Sequence, residues 1–310
     1  MRVFKFIMRN IKIFLRNTVF KIRTLDQYPS RPLMIPKYYS ETSFNSNDKN
    51  LPLISLVTPS YNQGDFISRT IESVLSQRYP NLEYIVQDGG SIDGSLETIK
   101  SFEKELTYFE SRKDNGQAHA LNLGFQRTSG EIMAYLNADD VLLTGALWYV
   151  ADYFDQHPEV DVIYSHRIIM NENDEEIGCW ILPPDDRNII LWADYIPQET
   201  MFWRRSIWEK VSSRIDESFS FALDWDLILR FYFAGAKFAR VPRFLAAFRV
   251  HSAQKTNLQI NEIGLMEMKR LRMQVHKREV SHREVMWRIT PYIFRSFIYH
   301  VLYKLSIIRT

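Results

Sequence analysis

Glu131-Ile132-Met133-Ala134-Tyr135-Leu136-Asn137-Ala138-Asp139-Asp140 is an apolar run that stops on two adjacent carboxylates. The turn pair Ser129-Gly130 precedes it, so Ile132 to Leu136 reads as a short buried strand. Asn137 to Asp140 then sit just past its carboxyl end, which in an open α/β sheet is where ligands bind. Two carboxylates side by side repel one another and gain little as a surface turn. They do make hard oxygen ligands for a divalent cation carrying phosphate oxygens. The competing reading is an Asx-rich turn capping the next helix.

Upstream, strand and helix patterns alternate. Ile54 to Val57 reads as a first strand ending in Thr58-Pro59-Ser60-Tyr61-Asn62, and Ile67, Ile71, Val74 and Leu75 follow at helical spacing. Leu82 to Val86 is a second strand, ending in Gln87-Asp88-Gly89-Gly90-Ser91-Ile92-Asp93-Gly94-Ser95 before a helix to about Lys104. Thr107 to Ser111 is a third, ending in Asp114-Asn115-Gly116-Gln117 before a helix through Phe125. This βαβαβαβ order implies a mostly parallel sheet with right-handed crossovers and all four polar strand ends on one edge. Tyr61, Asp88, Asp114, Asp139 and Asp140 should therefore converge, which isolated turns do not explain. Further on, strands are expected over Val160 to Tyr164, Lys237 to Val241 and Phe244 to Val250, with a helix opened by Asp224-Trp225-Asp226.

Neither GxGxxG nor GxxxxGK[ST] occurs, so any nucleotide must be held without those glycine-rich cradles. Asp88 can accept hydrogen bonds from a base edge, Asp93 and its glycines can shape the loop, and a metal at Asp139 can neutralise a diphosphate. The ordered motifs, from Val57-Thr58-Pro59-Ser60-Tyr61-Asn62 through Asp88 to Ser95 and Asp114 to Gly124 to Asn137-Ala138-Asp139-Asp140, resemble those of family 2 glycosyltransferases. The resemblance covers about residues 53 to 256. It implies the GT-A fold, a Rossmann-like sheet flanked by helices, and inverting sugar transfer from a nucleotide sugar (UDP-, GDP- or dTDP-linked) with Mg or Mn.

Carried over by position, Pro59, Tyr61 and Asp88 resemble base and ribose contacts. Asp114, Asn137 and Ala138 line the donor, and Asp139 resembles the metal-binding last carboxylate of a DxD motif whose first position is here Asn137. Asp140 is either a second acid or a cap of the following helix, and His119 stands where the family shows an acid. Asp224 resembles the catalytic base that takes the acceptor's proton, opposite the departing diphosphate; by itself it also reads as a helix cap. Asp226 reads as structural. Arg249 to Thr256 resembles the segment closing over the diphosphate, with His251 a metal or phosphate ligand and Lys255 a phosphate contact.

The 310 residues carry a net charge of +2, against a general nucleic-acid binder, and a single cysteine, Cys179, excludes an intramolecular disulfide framework. The charge is uneven. Residues 1–23 hold Arg2, Lys5, Arg9, Lys12, Arg16, Lys21 and Arg23 with no acid, and most of these basic residues fall at helical spacing opposite Phe4, Ile7, Ile11 and Phe14. Such a helix lies in a membrane interface rather than spanning it, or packs on the domain. Residues 24–52, with Pro29, Pro32, Pro36 and Pro52, read as a linker, and 257–310 as a helical segment whose basic, aromatic end suits an anionic surface. The organisation expected is thus a peripheral enzyme on the cytoplasmic face of a membrane, acting on a glycan or lipid-linked acceptor. A catalytically silent nucleotide-sugar-binding scaffold is the alternative, and a sugar-1-phosphate nucleotidyltransferase is disfavoured because the loop after the first strand is neither basic nor glycine-rich.

Overall fold

In a computed structural model, described over residues 25–41, 51–184, 186–252, 254, 260–308 and 310, ten strands form one sheet. They are β1 (Arg31–Pro32), β2 (Ile54–Ser60), β3 (Leu82–Asp88), β4 (Tyr108–Ser111), β5 (Ile132–Tyr135), β6 (Val141–Leu142), β7 (Val162–Met170), β8 (Glu175–Trp180), β9 (Phe202–Arg204) and β10 (Phe238–Arg249). The helices are α1 (Ile67–Leu75), α2 (Ser95–Ser101), α3 (Gln117–Phe125), α4 (Ala146–Gln156), α5 (Arg187–Ile190), α6 (Arg205–Lys210), α7 (Leu223–Phe233), α8 (Leu265–His276) and α9 (His282–Lys304). The basic helix expected over 1–23 and Lys255 lie outside the described residues.

The sheet runs β1-β8-β7-β9-β5-β2-β3-β4, with β10 pairing β7 and β6. Its central block β5-β2-β3-β4 is all parallel. Strand β2 is buried at every position, which its near-continuous apolar sequence demands of a parallel strand covered on both faces. On the other flank β9, β8 and β1 pair antiparallel, while β7 and β10 pair parallel. The two strands expected between Lys237 and Val250 are one, because register shifts at Val241/Phe244 and Phe244/Ala246 absorb Pro242 and carry the strand through.

Two apolar layers sandwich the sheet. One packs α1 (Ile67, Ile71, Val74) and α4 (Leu147, Val150, Phe154) against Leu56, Val86 and Ala134. The other packs α3, α6 and α7 against Val57, Met133 and Trp203, with Leu271 of α8 joining it.

The expected linker is corrected where it is described. Residues 25–41 pack on the domain: β1 extends the sheet beyond β8, and Tyr39 is buried in a cluster with Leu143, Ile168 and Phe244, which Leu33, Ile35, Tyr299, Tyr303 and Ile308 flank. The prolines end regular structure there but leave apolar side chains to bury. The described residues of 257–310 are helical, as expected, and part of them packs on the domain, since Leu271, Val285, Tyr292 and His300 are buried. Trp287 and Phe294, on the other side of α9, are 69% and 62% exposed. Among the described residues no helix is long and apolar enough to cross a membrane.

Candidate active site

The carboxyl ends of β2, β3, β4 and β5 share one edge, so the loops after them form one mouth. Tyr61, after β2, is 62% exposed. A Cβ built on Gly89, after β3, would fall 3.2 Å from Tyr61 Cδ2 and 3.1 Å from Asp114 Oδ2, so this glycine lets the three loops meet. Asp114 Oδ1 accepts from Gly116 N (2.8 Å), turning the chain into α3. Asn115 N donates to His119 Nδ1 (3.1 Å), which gives that histidine a local place in the same turn.

Two residues expected to face a ligand are inside. Pro59 is buried within β2. Asp88 is fully buried, and its carboxylate accepts from Gly90 N (3.1 Å), Ser91 N (2.9 Å), Ser91 Oγ (2.5 Å) and Ser111 Oγ (2.5 Å). It therefore shapes the loop, because an anion supplied with four donors has little acceptor capacity left for a base. Asp93 ties the same loop to the β2 turn through Gly64 N (2.9 Å) and accepts from Ser95 N (3.1 Å) at the start of α2; burial opposes its charge, but these donors hold the carboxyl below its usual range.

At the end of β5 the turn is locked from three sides. Thr70 of α1 donates to the carbonyls of Ala138 (2.8 Å) and Asp140 (2.7 Å), and the Ala138 side chain is buried. Asn137 accepts from Gln117 Nε2 (2.7 Å) and donates to Gln198 Oε1 (3.2 Å), whose own amide bonds Tyr135 O (2.7 Å). Arg249, with its guanidinium buried, donates to Asp139 O (2.8 Å) and lies 2.5 Å from Asp174 Oδ1. Thr70, Gln198 and the anchoring role of Arg249 carried no signal in the sequence, because none repeats at a motif spacing.

His251, just past β10, places Nε2 3.0 Å from Asp139 Oδ2, and its ring lies tilted against Phe66 with 4.5 Å between centroids. The structure thus joins residues 112 positions apart into one pair of oxygen and nitrogen donors, the pair that could hold a divalent cation. Among the described residues no cluster of three His, Cys, Asp or Glu forms a complete protein cage. A two-donor site is what a cation sharing its shell with phosphate oxygens and water uses. Asp140 is buried behind it, with Oδ1 accepting from Arg249 N (3.0 Å). Burial, then Asp139 and Glu199, push its carboxyl well above the usual range, against the pull of the Arg249 amide and the Arg167 charge. It does not cap the following helix, whose N-cap is Gly145.

Asp224 stands half-buried in the first turn of α7, its Oδ1 accepting from Trp225 N (2.9 Å). Its charge is felt at the end of β5, where burial and then Asp224, Asp194, Glu199 and Asp140 push the Tyr135 phenol up. Glu199 is neutralised by a two-pronged pair with Arg167 (2.7 and 2.6 Å). Asp194 is exposed, and its neighbours act on its carboxyl in opposite directions: the charge of Asp224 raises it and that of Arg167 lowers it. Asp226 instead pairs with Arg230 (2.8 Å) one turn along α7, a structural bridge.

Comparison with known proteins shows the family and the fold. An uncharacterized glycosyltransferase of Haemophilus influenzae is 25% identical over 228 residues, 69% of this chain and 70% of that one. The putative teichuronic acid biosynthesis glycosyltransferase TuaG of Bacillus subtilis is 38% identical over 94 residues, 29% of this chain and 36% of that protein. Among solved structures, S. aureus TarS in complex with UDP-GlcNAc superposes with a TM-score of 0.60 at 16% identity, covering 79% of this chain and 73% of TarS. The mannosyltransferase PcManGT of Pyrobaculum calidifontis, in complex with GDP-Man and Mn2+, gives 0.57 at 15% identity, covering 94% of this chain and 77% of that one. At such identities the structures show the shared GT-A fold. Residues 55–214, just over half of the chain, match the profile described as Glycosyl transferase family 2, and the chain belongs to that family.

Proposed function

We propose that this chain is an inverting, metal-dependent glycosyltransferase that moves a sugar from a nucleotide-sugar donor to a glycan or lipid-linked acceptor in bacterial envelope polysaccharide synthesis. The observation that carries the reading is the Asp139–His251 pair at the end of β5; the charge of Asp224 felt by Tyr135 on that strand supports it. Tyr61, Asp114 and the loop shaped by Asp88 line the nucleotide side, with Pro59 setting the turn beneath Tyr61. A Mg or Mn ion held by Asp139 and His251 would neutralise the leaving diphosphate. Asp224 takes the proton from the acceptor hydroxyl, whose oxygen bonds to the anomeric carbon as the bond to the diphosphate breaks on the opposite face. One carboxylate suffices, because inversion needs no covalent sugar–enzyme intermediate. Lys255 is assigned to the phosphates by its position in the motif.

The Mn2+ bound to PcManGT supports the cation, and the name of TuaG supports the polysaccharide setting. The exposed Trp287 and Phe294 beside Arg288 and Arg295 on α9, with the basic residues of 1–23, support docking on an anionic leaflet at the cytoplasmic face of a membrane. Calorimetric titration with UDP-, GDP- and dTDP-sugars, with and without Mn, tests the donor half. Wild type should bind one of them in a metal-dependent way, and Asp139→Ala should lose that dependence. Unchanged metal-dependent affinity in the variant would defeat the assignment.

A further inference from the structure

The helix that carries Asp224 opens without a cap of its own. Its N-cap is Ala222, which offers no side-chain acceptor, so the entry to α7 is not fixed by the helix itself. Glu267 of α8 holds the residues that lead into it. Its carboxylate accepts from three successive backbone amides, Ser220, Phe221 and Ala222, each at 2.8 Å, and from Ser220 Oγ at 3.2 Å. Burial opposes the charge, but these donors outweigh it and hold the carboxyl below its usual range, so the anchor is an anion at neutral pH.

The rest of α8 reinforces the contact. A Cβ on Gly264, just before α8, would fall 2.9 Å from Phe221 Cδ1, so the helix start is pressed onto the loop. Arg270 bonds Ser218 Oγ (3.0 Å) and covers the Phe219 ring at 4.3 Å. Farther along, Arg272 donates to Trp192 O (2.8 Å) and covers the Trp225 ring at 5.2 Å, and His276 Nε2 lies 3.0 Å from Leu191 O. One helix therefore grips both the segment leading to Asp194 and the segment leading to Asp224.

We propose that Glu267 is a positioning residue for sugar transfer. By fixing amides 220–222 it sets where Asp224 stands relative to the acceptor hydroxyl, which makes α8 part of the catalytic apparatus. The proposal rests on the reading of Asp224 as the base. A general base works only over a narrow range of placement, and a displacement of about 1 Å costs on the order of a hundredfold in rate.

The test uses the full chain with Glu267→Ala and Glu267→Gln. Amide hydrogen exchange should quicken at residues 218–226 in both variants, with the β2–β5 block unchanged, a readout that needs no donor. Release of nucleoside diphosphate from UDP-GlcNAc, GDP-mannose or dTDP-glucose with Mn, water serving as acceptor, gives turnover per folded molecule. Glu267→Ala should lower it about tenfold or more at saturating donor with the donor KM within twofold of wild type, and Glu267→Gln, which keeps one acceptor oxygen, should recover part of the loss. If Glu267→Ala does not fold, the isosteric Gln variant carries the same comparison. Faster exchange at 218–226 with undiminished turnover per folded molecule would reduce Glu267 to a fold anchor and overturn the proposal, as would unchanged exchange. A wild type that hydrolyses none of the three donors, despite binding one, would instead count against Asp224 as the base.

Discussion

His166, on β7, is fully enclosed, and its ring is fixed as a neutral acceptor. Leu182 N donates to Nδ1 at 3.0 Å, Phe244 packs edge-on at 5.7 Å, and the Arg240 guanidinium stands 3.5 Å from Nε2. A proton on Nδ1 would cost the Leu182 bond and bury a positive charge beside another. Burial, with Arg240 adding, accordingly brings the imidazole down from 6.5 to about 3. Because the folded value lies below the unfolded one, the unfolded chain takes up the proton first. The stability tied to neutral His166 is fully present above 6.5 and is lost as pH falls toward 3. The whole gap corresponds to about 5 kcal/mol, of which about 2 kcal/mol falls between pH 7 and pH 5. His166→Asn keeps an acceptor near the Nδ1 position and removes the titration. Urea unfolding of both proteins at pH 7, 6 and 5 should show wild type losing about 2 kcal/mol more than the variant over that interval. Parallel losses would refute the reasoning, because a histidine solvated or paired in the folded state contributes no such difference.

Asp224→Asn should leave metal-dependent donor binding intact while lowering turnover by about a hundredfold or more, the loss expected of a general base; near-normal turnover would leave Asp224 a helix residue only. Gly145→Ala should destabilise by about 2 kcal/mol or more, seen as a lowered Tm, because Gly145 has φ +74° and an added Cβ would fall 1.8 Å from Tyr39 O. Trp287→Ser with Phe294→Ser should weaken binding to anionic vesicles by tenfold or more, since each ring contributes about 1.5–3 kcal/mol when buried, and should leave donor affinity unchanged. Equal flotation of variant and wild type would remove α9 from the membrane-docking account.

The parallel block was legible because its strands are buried on both faces and so are written as apolar runs, each followed by a polar loop. The same logic located the mouth, and the structure sets Tyr61 and Asp114 around Gly89 and His251 against Asp139. Strands β8 and β9 were not legible. Glu175-Glu176-Ile177-Gly178-Cys179-Trp180 looks polar because one side of an antiparallel flank strand needs little apolar surface, and Phe202–Arg204 is too short for any period to show. Asp88 misled for a different reason. A carboxylate at a strand end reads alike whether it faces a ligand or its own loop, and only the count of donors around it tells the two apart. Gln198 and Glu267 act through partners 61 and 45–47 residues away, a separation that no local pattern encodes.

The corner where residues 25–41 meet α9 bears on how the chain folds. Arg31 pairs with Glu176, 145 residues on; Arg243 donates to Tyr39 O across 204 residues; and Tyr38 bonds the carbonyl of Thr310 across 272. The β2–β3 ladder, by contrast, closes between neighbours such as Thr58 and Tyr84, 26 residues apart. Loop closure costs grow with separation by about 0.6 kcal/mol per doubling, and contacts at long range form slowly. The parallel block can therefore assemble while much of the chain is still being made, whereas the corner must wait for α9. Leu33, Ile35 and Tyr39 precede β2 in the chain yet are fully covered only when α9 arrives, so in refolding experiments a probe at Tyr39 should report a later phase than one at Tyr84.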